Sequence, residues 1–125
     1  MTRILLEQNR KTGEMEIKGN ALLDKHGLHD WRISFENLRN ARYAPNDGDR
    51  GFWGQCDFEY KVIRIDWRIG RRFRQTMLHE IAHALVGKPA HGEEWIKKAA
   101  ELGCTDKELW RYSMEIESLT LNDLP

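Results

Sequence analysis

The chain carries only two cysteines, Cys56 and Cys104. Two thiols are too few for a disulfide framework or for an all-cysteine zinc site, so both read as small buried hydrophobes in a reducing compartment. Net charge is missing as well, since 20 basic and 20 acidic side chains cancel to a formal +0. No global field draws such a chain to nucleic acid or to an anionic membrane, and any contact of that kind must come from a local patch. Long apolar runs are also absent. The amino terminus, MTRILLEQNRKTGE, turns polar after Ile4, Leu5 and Leu6, which is neither a signal peptide nor a membrane span, and nothing later approaches the roughly eighteen apolar residues that a span needs. These absences point to a cytoplasmic chain with no membrane partner. No internal repeat and no Gly/Ser/Pro-rich linker divides the 125 residues, a length that suits one core and is too short for two. Residues 1–125 therefore read as a single domain with a core at about 20–104.

What is present is a sequence of short elements. Ile4 to Leu6 and Met15 to Ile17 flank N-R-K-T-G-E, which predicts a hairpin or an extension over residues 1–18. From Gly19 the pattern is helical, with Ala21, Leu22 and Leu23 running to a stop at His26 and Gly27. WRISF alternates Trp31, Ile33 and Phe35 against polar neighbours, the period of a half-buried strand. The turn-rich APNDGDRG at 44–51 reads as a loop. FWGQCDF and KVIRIDW predict two more strands, the second with Ile63, Ile65 and Trp67 on one face and Val62, Arg64 and Asp66 on the other. A helix beginning near Arg71 gathers Phe73, Met77, Leu78, Ile81, Ala82, Ala84 and Leu85 on one half of its wheel, and Thr76, His79, Glu80 and His83 on the other. Gly87 and Pro89 end it. The next helix starts after His91 with Glu93 and Glu94 in its first turn, where the dipole favours negative charge, and it closes at Gly103. Thr105 and Glu108 form a capping box that opens a last helix over 105–118. The predicted fold is α+β: a short antiparallel sheet packed on the histidine-bearing helix.

The chemistry lies in HEIAHALVGKPAH, residues 79–91. Positions i and i+4 of a helix lie about 40° apart and one turn along, so His79 and His83 can converge on one ion. Catalytic zinc sites typically use three protein ligands plus a water. Glu80, at the neighbouring angle, suits a base that takes a proton from that water and returns it to a leaving amine. His91 lies where the chain has turned at Gly87 to Pro89 and can fold back as third ligand. A metzincin would place Gly and His earlier than Gly87 and His91. A gluzincin would use a later glutamate, for which Glu101 is the rival, but Glu101 sits far along the second helix and His91 is preferred. The plain alternative is an amphipathic helix with His79 and His83 on a solvated face and His91 as an N-terminal cap.

TMLHEIAHALVG, followed by HGEEW and then AAELGC, resembles the SprT-like metalloprotease family, which includes the Spartan-type proteases. HGLHDWRISFENLRNARY, and GQC ahead of VIRID, are similar to that family's lead into its zinc helix. The resemblance spans roughly residues 20–104. It implies a zincin-like minimal metalloprotease, a Zn2+ endopeptidase with His79, His83 and His91 as ligands and Glu80 as catalytic acid/base. It also implies that Trp95 packs near the site.

The leading functional expectation is hydrolysis of a protein or peptide substrate that pairs as an extended strand with a rim strand, KVIRID. Tyr43, Tyr60, His26 and Tyr112 qualify as oxyanion stabilisers by chemistry only. Two other functions use the same residues: a nucleic-acid or protein-binding module with a structural zinc site, and a regulatory metallopeptidase of the ImmA type that cleaves a repressor. Arg68, Arg71, Arg72 and Arg74 cluster at the start of the zinc helix, where cations oppose the macrodipole. They are either solvated or paired with acids such as Asp66, or they form a positive rim for DNA.

Overall fold

The computed structural model describes residues 3–38 and 53–105. In chain order these form α1 (Arg3–Lys25), β1 (Arg32–Glu36), β2 (Gly54–Asp57), β3 (Val62–Asp66), a 3-10 turn (Gly70–Arg72), α2 (Phe73–Val86) and α3 (Glu93–Glu101). Among the described residues the class is mixed α+β: α1 and α2 pack on a three-stranded sheet and α3 packs on α2. The loop at 44–51, the helix at 105–118, Tyr43 and Tyr112 lie outside the described residues.

The hairpin expected over residues 1–18 is a continuous helix instead. Met15, Gly19, Leu22, Leu23 and His26 recur at helical spacing, and this outweighs Gly13, a residue that costs about 1 kcal/mol in a helix interior relative to alanine. Gly19 is part of the packing face. A Cβ there would stand 2.8 Å from Ile33 Cδ1 and 3.2 Å from Phe73 Cζ, so the absent side chain lets α1 lie close against β1 and α2.

The sheet order is β1-β3-β2, with β1 parallel and β2 antiparallel to β3. Two sequence-based expectations are corrected here. The sheet is mixed rather than antiparallel, because the chain returns past β1 to insert β3 between it and β2. The segment KVIRID is thus the central strand and no rim. Its burial agrees, since Val62, Ile63, Ile65 and Asp66 are all inaccessible and only Arg64 reaches solvent. Arg64 is held between Glu36 of β1 and Asp57 of β2, so the one basic residue of β3 is ion-paired on both sides.

α2 is buried along most of its length. One side, with Phe73, Met77 and Ile81, packs with Leu23, Ile33, Ile63 and Ile65 between α1 and the sheet. Another side, with Leu78 and Ala82, packs on Trp95 and Ala99 of α3 and on Cys104. Burying each large apolar side chain contributes about 1.5–3 kcal/mol, and these two clusters fix α2 from two sides. The remaining side of α2 carries the histidines.

Candidate metal centre

α2 begins directly after the 3-10 turn, without a side-chain cap at Arg72. The turn itself is tied by Asp66, a fully buried carboxylate that accepts from the Arg68 backbone N–H at 2.9 Å and from its guanidinium at 3.1 Å. At the other end, Gly87 adopts φ 80°, a left-handed conformation that glycine reaches without a Cβ penalty, and its N–H donates to His83 O at 2.8 Å. This reversal sends residues 88–92 back along α2 and brings His91 over the helix.

The result is a cluster of three imidazoles. His91 Nε2 lies 3.1 Å from His79 Nε2 and 3.0 Å from His83 Nε2. The three ligand atoms are all within 4.8 Å of one another. His79 and His83 are 8% and 4% exposed, so the reading of them as surface imidazoles on a solvated face does not hold. Nor is His91 a cap, because Gly92 occupies that position with no side-chain hydrogen bond. Glu101 is exposed and paired with Lys98 on the surface of α3, away from the cluster.

Tautomers follow from the partners. His83 Nδ1 faces the Lys88 carbonyl oxygen at 3.1 Å, an atom that only accepts, so Nδ1 carries the proton. In the neutral ring Nε2 then presents a bare lone pair to the cluster. Burial, followed by the neighbouring His79 and His91, pushes the His83 pKa down to about 4 against the opposing Lys88 hydrogen bond, which keeps the ring neutral near pH 7. His91 Nε2 stands within hydrogen-bond distance of both other rings, so one shared proton or one shared cation can join the three nitrogens. Tetrahedral coordination at about 2.0–2.1 Å requires nitrogens roughly 3.3 Å apart, within a few tenths of the two distances from His91, and all three ligand atoms lie within 4.8 Å of one another. The all-imidazole donor set suits zinc, copper, iron or nickel and not magnesium or calcium. The three histidines therefore fit a transition-metal ion.

Glu80 stands beside this cluster, 6% exposed, with Oε1 3.9 Å from His79 Nε2. Its other neighbour is β2. A Cβ on Gly54 would lie 3.3 Å from Glu80 Cγ and 2.7 Å from Thr76 Cγ2, so the edge strand passes directly along the side of α2 that carries Thr76 and Glu80. Cys56, two residues on, feels the same carboxylate: burial first, then the charges of Glu80 and Asp57, push its thiol up to about 12. Neither Gly54 nor Cys56 stood out in the sequence as part of a site. Beyond the likeness carried by GQC, the local signal is the period of two that puts both on one face of GQCD.

The remaining expectations separate cleanly. Trp95 does pack at the site, fully buried, with its indole N–H donating to His79 O at 3.1 Å. Tyr60 is exposed in the β2–β3 turn, and His26 lies at the end of α1 beside the charges of Lys25 and Lys98. Arg68 is committed to Asp66 and to Asn37, and Arg72 lies 5.1 Å over the Trp53 ring. Arg71 and Arg74 are exposed and unpaired among the described residues. No helix among the described residues is long and apolar enough to cross a membrane. Comparison with protein-family models, with curated proteins and with solved structures finds no match to this chain.

Proposed function

We propose that the chain is a zinc-dependent endopeptidase in which His79, His83 and His91 hold the ion and Glu80 moves the protons. The observation that carries this reading is the convergence of three imidazole nitrogens, with His91 Nε2 3.1 and 3.0 Å from those of His79 and His83, next to a buried carboxylate that is not itself one of the converging ligand atoms. Bound zinc supplies Lewis acidity and lowers the pKa of its water toward about 7. Glu80, buried beside the cluster with Oε1 3.9 Å from His79 Nε2, would accept a proton from the attacking water and return it to the leaving amine. The likeness of TMLHEIAHALVG and HGEEW to the SprT-like family supports the same assignment.

Substrate pairing falls to β2. Among the described residues β2 hydrogen-bonds to β3 alone, which leaves its outer edge for an extended peptide, and the face of β2 at Gly54 lies against Glu80. Arg71, Arg72 and Arg74 extend the proposal to a DNA contact at the start of α2; Arg68, held by Asp66, contributes to the fold instead.

The deciding experiment is cleavage of an unfolded protein by the purified chain, with chelator, with zinc restored, and with Glu80→Gln. Cleavage that follows zinc and vanishes in the variant supports the endopeptidase. Zinc binding without cleavage of any substrate moves the reading to a binding module, and cleavage confined to a folded repressor moves it to a regulatory metallopeptidase.

A further inference from the structure

His91 comes from an unpromising place. Residues 87–92 form neither helix nor strand, and all of them except the half-buried His91 are exposed. A ligand on such a segment loses more conformational freedom on binding an ion than the two ligands on buried α2, unless something holds it beforehand. The residue placed to do so is Trp95. It lies in the first turn of α3, one helical turn beyond His91, and is completely buried. Its indole N–H reaches across to the His79 carbonyl of α2 at 3.1 Å. Its ring then meets all three imidazoles: centroids are 4.6 Å from His79, 5.3 Å from His83 in a stacked arrangement at 24°, and 4.7 Å from His91 edge-on at 88°.

We infer that Trp95 is the positioning residue of the metal centre: it pins the start of α3 to α2, so that His91 stands opposite His79 and His83 before any ion arrives. This role rests on the metal-binding reading of the three histidines and goes beyond it, because it assigns the ordering of the third ligand to one side chain. The competing account is that Trp95 only fills the core between α2 and α3 with Leu78, Ala82, Ala99 and Cys104. The two accounts differ in coupling. A positioning role acts through His91 and must disappear when His91 is removed, whereas a packing role must persist.

The test is a double-mutant cycle on zinc affinity, measured by competition with a chelating dye, on wild type, Trp95→Leu, His91→Ala and the double variant, with Trp95→Phe as the ring-retaining control. Trp95→Leu should weaken zinc binding about 10- to 100-fold, the range found for residues that orient metal ligands. In the His91→Ala background the same change should cost less than about threefold. Trp95→Phe, which keeps the ring and loses the N–H, should fall between. Equal losses in both backgrounds would overturn the inference and leave Trp95 as packing. If Trp95→Leu fails to fold by circular dichroism, the same cycle is run with Trp95→Phe. If the His91→Ala background binds too weakly to measure, residue-by-residue modification of the metal-free chain by diethyl pyrocarbonate decides: the Trp95 variant should raise the reaction of His91 toward that of a free histidine and leave His79 and His83, held on α2, much less changed, and an unchanged His91 overturns the inference. Absence of zinc binding by wild type would defeat the metal reading itself, and it is seen before any variant is compared.

Discussion

Gly54 of β2 and Glu80 of α2 are in contact with no room for a side chain between them, since a Cβ on the glycine would stand 3.3 Å from Glu80 Cγ and 2.7 Å from Thr76 Cγ2. Gly54→Ala must therefore push β2 or α2 aside. Overpacking of this kind costs about 1–3 kcal/mol, and the atoms that must give way are Thr76 Cγ2 first and then Glu80 Cγ, neither of them on one of the three histidines. We expect Gly54→Ala to lower thermal stability and proteolytic turnover while zinc affinity stays within about twofold of wild type. Unchanged turnover at unchanged stability would show that β2 does not set the position of Glu80.

Glu80→Gln preserves shape and removes the proton acceptor. Turnover should fall by roughly two to four orders of magnitude, the usual worth of a positioned base. Zinc content measured on the same preparation should remain near one ion per chain, because the three imidazoles are untouched. Activity retained at more than a tenth of wild type would rule out Glu80 as the base.

His91→Ala should abolish tight zinc binding, whereas Glu101→Ala should leave it unaltered. The first change removes one of three converging nitrogens; the second removes only an exposed partner of Lys98. Zinc titration of the two variants side by side decides between a histidine and a glutamate as third ligand.

The legibility of this site in the sequence follows the range of the interactions that make it. His79, Glu80 and His83 are within one turn of each other, so helical geometry alone relates them. His91 could be read only because Gly87 and Pro89 stop the helix and send the chain back. The sheet was harder. Strand order is a property of the assembled core, and Arg64 and Asp66 gave β3 the alternation of a half-exposed strand although Asp66 is fully buried through its ion pair with Arg68. The first helix was misread for a local reason: Gly13 carries the signature of a turn, while the spacing of Met15, Gly19, Leu22 and Leu23 needs the rest of the core to be meaningful.

Cys56 should be a slow thiol. With its pKa pushed from 9.0 to about 12 by burial and by Glu80 and Asp57, almost no thiolate exists near pH 7, and thiolate is the reactive species. Alkylation by a maleimide should be far slower in the native chain than after unfolding, and Glu80→Gln should speed it by removing one of the opposing charges. Because the folded-state pKa is the higher one, the thiol's contribution to stability is complete below pH 9.0 and is lost as pH rises toward about 12. Native labelling as fast as that of the unfolded chain would contradict the burial of Cys56 against Glu80.

The arginines at the start of α2 divide into two kinds, and the division gives the DNA proposal an internal control. Arg68 grips the buried Asp66 with its backbone N–H and its guanidinium, so Arg68→Gln should lower the melting temperature by loosening the turn that launches α2. Arg71 and Arg74 make no ion pair among the described residues and, with Arg72 on Trp53, present charge to solvent. Phosphate contacts act by counterion release, each adding about 0.9 to the slope of log affinity against log salt. Replacing Arg71, Arg72 and Arg74 with glutamine should therefore flatten the salt dependence of duplex binding by one slope unit or more, with zinc content and melting temperature close to wild type. Wild-type protein that binds no DNA at low ionic strength would remove the nucleic-acid contact and leave the peptidase proposal standing, because nothing in the three-histidine cluster depends on these side chains.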